Sequence, residues 1–150
     1  MNINDFSYGC RFTDEKYAIF SEKELSEIKV LKEEEAKNSW YKYCDNEILE
    51  LSYFVKDIVA HKLPFLTNDC SWGDELGETK TKQLLKTELR QYEDGYINVC
   101  YESKKALRVS TKLFCDRWND FCYPSDSLIL DLGDRALLYY EDLIYYLEKK

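Results

Sequence analysis

The sequence is poor in the residues on which most cofactor-binding and catalytic motifs depend. It contains one histidine, two prolines and five isolated glycines in 150 residues. It has no G-x-x-x-x-G-K-[ST] or G-x-G-x-x-G phosphate-binding pattern and no D-x-[DN]-x-[DN]-G calcium loop. These absences argue against the common nucleotide and calcium sites, and we expect no cofactor.

The single histidine and the six cysteines are weak candidates for catalysis or metal binding. No G-x-S-x-G nucleophile motif occurs that could work with His61. No C-x-x-C pair is present, and Cys115 and Cys122, the closest cysteines, are seven positions apart, a spacing that does not suit a zinc site. We predict reduced, mostly buried thiols and no metal, and a small enzyme using His61 remains a minor alternative.

Long apolar runs are also missing. No segment approaches the roughly 20 apolar residues that a membrane-spanning helix needs. The first five residues, MNIND, show neither the basic nor the apolar part of a signal peptide. We therefore predict a cytoplasmic protein with no membrane partner.

Basic residues are outnumbered by acidic ones, 21 to 29, and the excess of acids is uneven along the chain. The formal net charge is -8, with 16 acidic against 9 basic residues in 1–75 and 13 against 12 in 76–150. Binding to nucleic acid needs a basic footprint, so a nucleic-acid partner is not expected. An acidic field suits a basic protein partner instead.

Aromatic residues are abundant, at 15% of the chain with 13 tyrosines, and hydrophobic residues make up 45%. This composition is typical of a globular protein, and tyrosine serves both cores and interfaces. The length corresponds to about one domain, and no linker or repeat divides it. We predict a single α+β domain over 1–150.

Apolar spacing and capping signals predict six helices. Ser21 and Glu24 form a capping-box pattern, and Glu33–Glu35 suit the positive end of a helix dipole. The predicted helices are a short one after Ser21, one from about 32, and those at 47–60, 79–92, 111–121 and 141–150.

Segments rich in β-formers predict the strands. Those at 96–101 and 106–109 form one hairpin, and those at 127–130 and 136–140 form another. A further short strand is predicted at 16–20, and 65–77 is predicted to be an irregular connection. Helices followed by hairpins are typical of an α+β fold, here an antiparallel sheet of four or five strands packed with helices.

Three features are candidates to contact a partner. The first is the acidic start of the second helix, and the second is the aromatic–acidic segment 118–126, for which a purely structural role is the alternative. The third is the tyrosine-rich segment 139–142. Adjacent strand residues point to opposite faces, so one of Tyr139 and Tyr140 is expected to be exposed. The candidate partner-binding residues are Glu33, Glu34, Glu35, Asp120, Tyr123, Asp126, Tyr140, Glu141 and Asp142.

Two segments resemble known families. Residues 20–29, FSEKELSEIK, followed by Ala36 and Trp40, resemble the opening of a small uncharacterised bacterial family with an (S/T)-E-x-(D/E)-L-x-x-I-K pattern. Residues 114–126, FCDRWNDFCYPSD, resemble that family and also the immunity proteins of contact-dependent growth inhibition, which are encoded beside bacterial toxins. These residues are aromatic framework positions, so the resemblance implies a fold more than a function, and it carries over no catalytic residue.

The resemblance and the charge together imply an immunity or inhibitor protein. Such a protein binds a basic toxin, in the first place a nuclease, and neutralises it in the cytosol. Complementary charge speeds association of this kind. A housekeeping protein-interaction domain with another partner remains the main alternative.

Overall fold

An antiparallel sheet of seven strands forms the centre of the computed structural model, which describes residues 2–49, 51 and 63–150. The strands are β1 (Ile28–Val30), β2 (Phe65–Thr67), β3 (Tyr96–Glu102), β4 (Lys105–Ser110), β5 (Ser127–Asp131), β6 (Ala136–Tyr140) and β7 (Leu143–Leu147). Their order across the sheet is β1-β4-β3-β5-β6-β7-β2. Each neighbouring pair is antiparallel, so the α+β prediction is confirmed.

Six α-helices lie in the described part of the chain. They are α1 (Cys10–Thr13), α2 (Glu22–Ser26), α3 (Glu33–Trp40), α4 (Glu75–Glu88), α5 (Thr111–Asp116) and α6 (Trp118–Phe121), with short 3-10 turns at Ile3–Asp5 and Arg90–Tyr92. In that same part, no helix is both long and apolar enough to cross a membrane.

Successive residues of a strand point to opposite faces of the sheet. Because the strands carry apolar residues on both faces, helices cover both. On the first face, β-strand residues such as Val99 and Leu130 pack with Leu85 of α4, Phe114 of α5 and Trp118 of α6. On the second face, residues such as Ile129 and Leu138 pack with Ala36 and Trp40 of α3. The strands of the centre are therefore buried on both sides.

Several local predictions are confirmed. Ser21 Oγ accepts from the Glu24 N–H at 3.1 Å, and Glu24 accepts from the Ser21 N–H at 2.9 Å, which completes the capping box. Ser110 caps α5 by accepting from the Leu113 N–H. The four predicted strands of the two hairpins are all present, each within one or two residues of its expected bounds.

The strand count was too low, and the strand predicted at 16–20 is wrong. That segment is a turn followed by irregular chain, because Asp14 accepts from the Lys16 N–H through its side chain and from the Tyr17 N–H through its carbonyl. Such local bonds compete with strand pairing. The additional strands are β1, β2 and β7, of which β2 lies inside the segment predicted to be irregular.

The helix predicted at 141–150 is also wrong, because this segment forms β7. Glu141 and Asp142 have φ values of 48° and 61°, which is the two-residue turn geometry that joins tightly paired strands. The spacing of Leu143, Ile144 and Leu147 fits a helix or a strand over so short a length. Pairing with β6 over the whole of β7 decides between them.

The remaining helix predictions need smaller corrections. The helix predicted at 79–92 begins at Glu75 and ends at Glu88. The helix predicted at 111–121 divides at Arg117, whose backbone leaves the helical region. In the helix predicted at 47–60, residues 47–49 are not helical. Residues 50 and 52–60 lie outside the described residues, and so does His61.

Candidate functional site

The predicted partner-binding residues do not form one site. Glu33, Glu34 and Glu35 begin α3, which covers the second face. Tyr140 packs against the second-face core, whereas Tyr139 is buried in the core of the first face. The adjacent tyrosines point to opposite faces, but the expectation that one of them is exposed is wrong. Tyr139 is fully buried and Tyr140 is half-buried, because both faces of the sheet are covered.

The three glutamates of α3 are partly engaged within the chain. Glu33 forms ion pairs with Lys37 at 3.1 Å and Lys104 at 3.7 Å. Glu35 accepts from the backbone N–H of Lys32 at 3.2 Å, and this bond lowers the pKa of its carboxyl group. These contacts stabilise the start of the helix.

Asp126 forms an ion pair with Arg11. The two guanidinium nitrogens lie 2.6 and 2.9 Å from the two carboxylate oxygens, and both side chains are largely buried. Tyr123 lies under the same guanidinium, 3.9 Å from its carbon to the ring centre. This bidentate pair fastens the N-terminal segment to the loop after α6.

Within the predicted segment, the exposed residues are Pro124 and Ser125. Asp120 is half-buried 3.6 Å from Arg117, and burial raises the pKa of its carboxyl group against the lowering effect of Arg117. Trp118 and Phe121 are core residues, as the structural alternative for this segment proposes.

Trp72 connects the two C-terminal features that the sequence analysis treated separately. Its indole N–H donates to the Asn119 carbonyl at 2.9 Å, and its backbone N–H donates to the Asp142 carboxylate at 3.2 Å. Its ring meets that of Tyr123 edge-on, with 5.8 Å between ring centres. Despite these contacts 41% of the residue is exposed, so the indole is fixed in place but open to solvent.

The loop that carries Trp72 has a backbone suited to this presentation. Ser71 and Gly73 both have positive φ, at 56° and 89°, which turns the chain sharply on either side of the tryptophan. Gly77 permits α4 to approach this loop, because a Cβ there would lie 2.1 Å from the Ser71 Cβ. Glu78 then accepts from the Gly73 N–H at 3.1 Å.

Acidic residues cluster in the stretch of chain that carries this indole. Residues 63–79 contain four acidic and no basic residues. In the described part of the chain, these four acids, Glu141 and Asp142 take part in no ion pair. We call the following residues the Trp72 surface: Trp72, Tyr123, Asp69, Asp74, Glu78 and Asp142.

A buried polar cluster lies on the second face. Asp131, only 2% exposed, accepts from Tyr43 OH at 2.7 Å, the Gly133 N–H at 2.9 Å and Ser39 Oγ. Lys42 Nζ lies 2.7 Å from the same carboxylate. The cluster is satisfied internally, which is typical of a structural role.

The Cys100 thiol lies beside the Asp131 cluster, where it donates to Ser39 Oγ at 3.5 Å. Burial raises the pKa of the Cys100 thiol beside the Asp131 cluster to about 12, so this thiol stays protonated at neutral pH. Among residues 2–49, 51 and 63–150, no three His, Cys, Asp or Glu side chains are arranged to hold a metal ion. What the Trp72 surface offers is a fixed aromatic ring within a negative field.

Comparison with known proteins yields one family. Residues 1–142 match the model of a protein family of unknown function, DUF2947. The chain belongs to the DUF2947 family. The search of the curated proteins and that of the solved structures found no match.

The DUF2947 match includes every residue of the Trp72 surface and ends at Asp142, before β7. Sequence reasoning treated Trp72 in this DUF2947 chain only as part of an irregular connection. The signal that could have singled it out is the base-free acidic stretch around a Trp-Gly pair. Its proximity to Asn119, Tyr123 and Asp142 follows only from the packing of the loop against α6 and the β6–β7 turn.

Proposed function

We propose that this protein acts without catalysis, by docking a basic segment of another protein on the Trp72 surface. The observation that carries the proposal is a tryptophan held by two hydrogen bonds and a ring contact, yet 41% exposed. Tryptophan is enriched among the residues that dominate binding energy at interfaces. A ring that is already ordered loses little conformational freedom when a partner binds.

The charge of the surface supports a cationic partner. The carboxylates around Trp72 have no cation beside them within the described residues, so lysine or arginine side chains of a partner would supply the missing charge. The indole face also attracts a cation, most strongly where water is excluded. Association is then expected to be fast at low salt and slower as salt screens the field.

The finer proposal concerns the partner. The resemblance of 114–126 to immunity proteins and the net charge of -8 support a basic toxin, in the first place a nuclease, that is neutralised in the cytosol. Nucleases are commonly basic because their substrates are polyanions. An acidic surface can cover such a cleft.

The test begins with capture of partners by tagged wild-type protein at low salt, followed by a high-salt wash and mass spectrometry. We expect a basic protein that is released by salt. Binding of this protein should be retained by Tyr96→Ala, which removes a more exposed aromatic residue on the second face, and lost by Trp72→Ala. With the purified partner, Trp72→Ala should weaken binding by at least about tenfold, as expected of an interface hot spot.

A second variant guards against loosening of the loop by Trp72→Ala. Glu75→Lys reverses an exposed charge whose side chain makes no hydrogen bond in the described residues, and it should weaken binding at low salt but much less at high salt. Equal binding by wild type, Trp72→Ala and Glu75→Lys would refute the docking proposal. A captured partner with no toxic or nuclease activity would refute only the inhibitor proposal.

A further inference from the structure

A groove on the second face, beside α3, is separate from the Trp72 surface. Its volume is about 520 Å³. It lies over β1, the end of β4 and the start of β3, next to the end of α2. The residues that line it are Ser26, Glu27, Lys29, Tyr96, Arg108 and Ser110.

The strand register places the basic side chains of the groove side by side. Lys29 of β1 is opposite Arg108 of β4, and Arg108 is opposite Asn98 of β3. Residues opposite each other in antiparallel strands share a face, with Cβ atoms about 5 Å apart. In this acidic chain, neither Lys29 nor Arg108 forms an ion pair within the described residues.

Arg108 is oriented by a chain of hydrogen bonds that leads into the protein. Its Nε donates to Asn98 Oδ1 at 3.1 Å. The Asn98 amide nitrogen donates to Ser39 Oγ at 3.3 Å, and Ser39 Oγ donates to the buried Asp131. The guanidinium is thereby held at its inner nitrogen, and no hydrogen bond of its two terminal nitrogens is formed within the described residues.

Tyr96 supplies an aromatic wall to the groove. It stands on the same face as Asn98, two residues away along β3, and is 64% exposed. Planar bases stack on such rings. Two acidic residues lie near the basic side chains of the groove. Glu27 lines the groove, and the carboxylate of Glu35 is close enough for Lys29 and Arg108 to contribute to its lowered pKa.

We propose that this groove binds a nucleoside monophosphate. The two terminal nitrogens of Arg108 bind the phosphate as a fork, Lys29 adds a second positive charge, and the base stacks on Tyr96. Arginine matches phosphate geometry through such paired donors. A small anion fits better than a nucleic acid, because the net charge of -8 repels a polyanion and the groove offers only two cations.

The test titrates adenosine 5′-monophosphate into the full-length protein at low salt, by calorimetry and by chemical-shift mapping. We expect saturable one-to-one binding, with chemical-shift changes confined to the end of α2 and to β1, β3 and β4. Arg108→Ala should weaken binding of adenosine monophosphate by about tenfold or more, and so should Lys29→Ala, which removes an exposed side chain. Tyr96→Ala should weaken the binding of adenosine monophosphate but leave the binding of inorganic phosphate unchanged. Tyr96→Phe keeps the ring and should bind both as tightly as wild type.

Lys80→Ala is the matched control, because Lys80 is an exposed lysine on α4 that forms no ion pair within the described residues. It should bind like wild type. Three results would each overturn the proposal: no saturation by adenosine monophosphate at millimolar concentration, equal loss in Lys80→Ala and Lys29→Ala, or inorganic phosphate binding as tightly as the nucleotide. None of these variants lies on the Trp72 surface, so the docking proposal is tested independently.

Discussion

On the second face of the sheet, Asp131 is buried and surrounded by three hydrogen-bond donors and the ammonium group of Lys42. On the first face, around Trp72, the Asp69 carboxylate accepts from the Ser71 N–H and that of Asp74 from the Gly77 N–H, and neither forms an ion pair within the described residues. The two regions show one residue type in two roles. A buried, satisfied carboxylate stabilises the fold, whereas exposed carboxylates without counter-charge create a field that a partner can use.

The largest effect should come from breaking the second-face cluster. Asp131→Asn places an amide nitrogen among donors, so it should lower the free energy of unfolding by about 3 kcal/mol. Asp69→Asn, the same change in the Trp72 loop, should stay within about 0.5 kcal/mol of wild type. Urea unfolding followed by tryptophan fluorescence measures both, and equal losses in the two variants would contradict the comparison.

The dependence on pH sharpens the same contrast. Burial acts to raise the pKa of Asp131, but hydrogen bonds from Lys42, Ser39, Tyr43 and the Gly133 N–H outweigh it and hold the pKa below its usual value. Because the folded-state pKa is then lower than that of the unfolded chain, the stabilisation is present above the ordinary pKa of about 3.9 and is lost as pH falls through the folded-state pKa. The gap between wild type and Asp131→Asn should therefore be constant near neutral pH and narrow in acid.

A smaller effect is expected from breaking the Trp72 loop. Gly77→Ala would place a methyl group 2.1 Å from the Ser71 Cβ, so the loop must move, at a cost of about 1–3 kcal/mol. Alanine is otherwise favoured over glycine in a helix by up to about 1 kcal/mol, so the sign of the stability change tests the close contact. Partner binding through Trp72 should weaken together with stability.

Gly95→Ala is the control for that substitution. A Cβ at Gly95 meets only the Tyr92 carbonyl oxygen, at an ordinary 3.5 Å. Its stability should remain within about 0.5 kcal/mol of wild type, with partner binding unchanged. A stabilised Gly77→Ala protein with normal binding would show that the loop adapts without loss.

The smallest effect concerns the thiols. Cys10 is exposed and the other five cysteines are buried, and burial raises the pKa of Cys44, Cys100 and Cys115 to about 12. One thiol should therefore react with a disulfide reagent near pH 8, and Cys10→Ser should abolish that reaction while changing stability by less than about 0.5 kcal/mol. Rapid native-state labelling of Cys70, which lies in the Trp72 loop, would show that this loop opens, whereas Cys100 reports on the second face.

Much of the fold could be predicted because its signals are local. The capping box at Ser21, the N-cap at Ser110 and the β-formers of 96–101 act over a few residues, and all appear in the structure. The C-terminal strand was missed because LIYYL has no local feature that separates helix from strand. Its pairing with β6 is a contact between strands, and the turn at Glu141 and Asp142 is what makes it possible.

The candidate site was predictable only in pieces. The sequence identified 118–126 and 139–142 as aromatic–acidic segments, but it offered no reason to join them through Trp72. It also offered no reason to separate Asp126, which Arg11 binds from 115 positions away, from its exposed neighbours. Side chains distant in sequence decide which carboxylates are neutralised and which stay open.

By itself, the sequence determined the acidic charge, the α+β class, the central hairpins and the absence of the common cofactor motifs, because these depend on composition and on neighbours along the chain. Only the tertiary structure decided which acids are buried with donors, that Trp72 is fixed between α6 and the β6–β7 turn, and that Arg108, Lys29 and Tyr96 share one open face. These depend on the register of the strands and on the packing of helices across the sheet, which bring together residues far apart in the sequence.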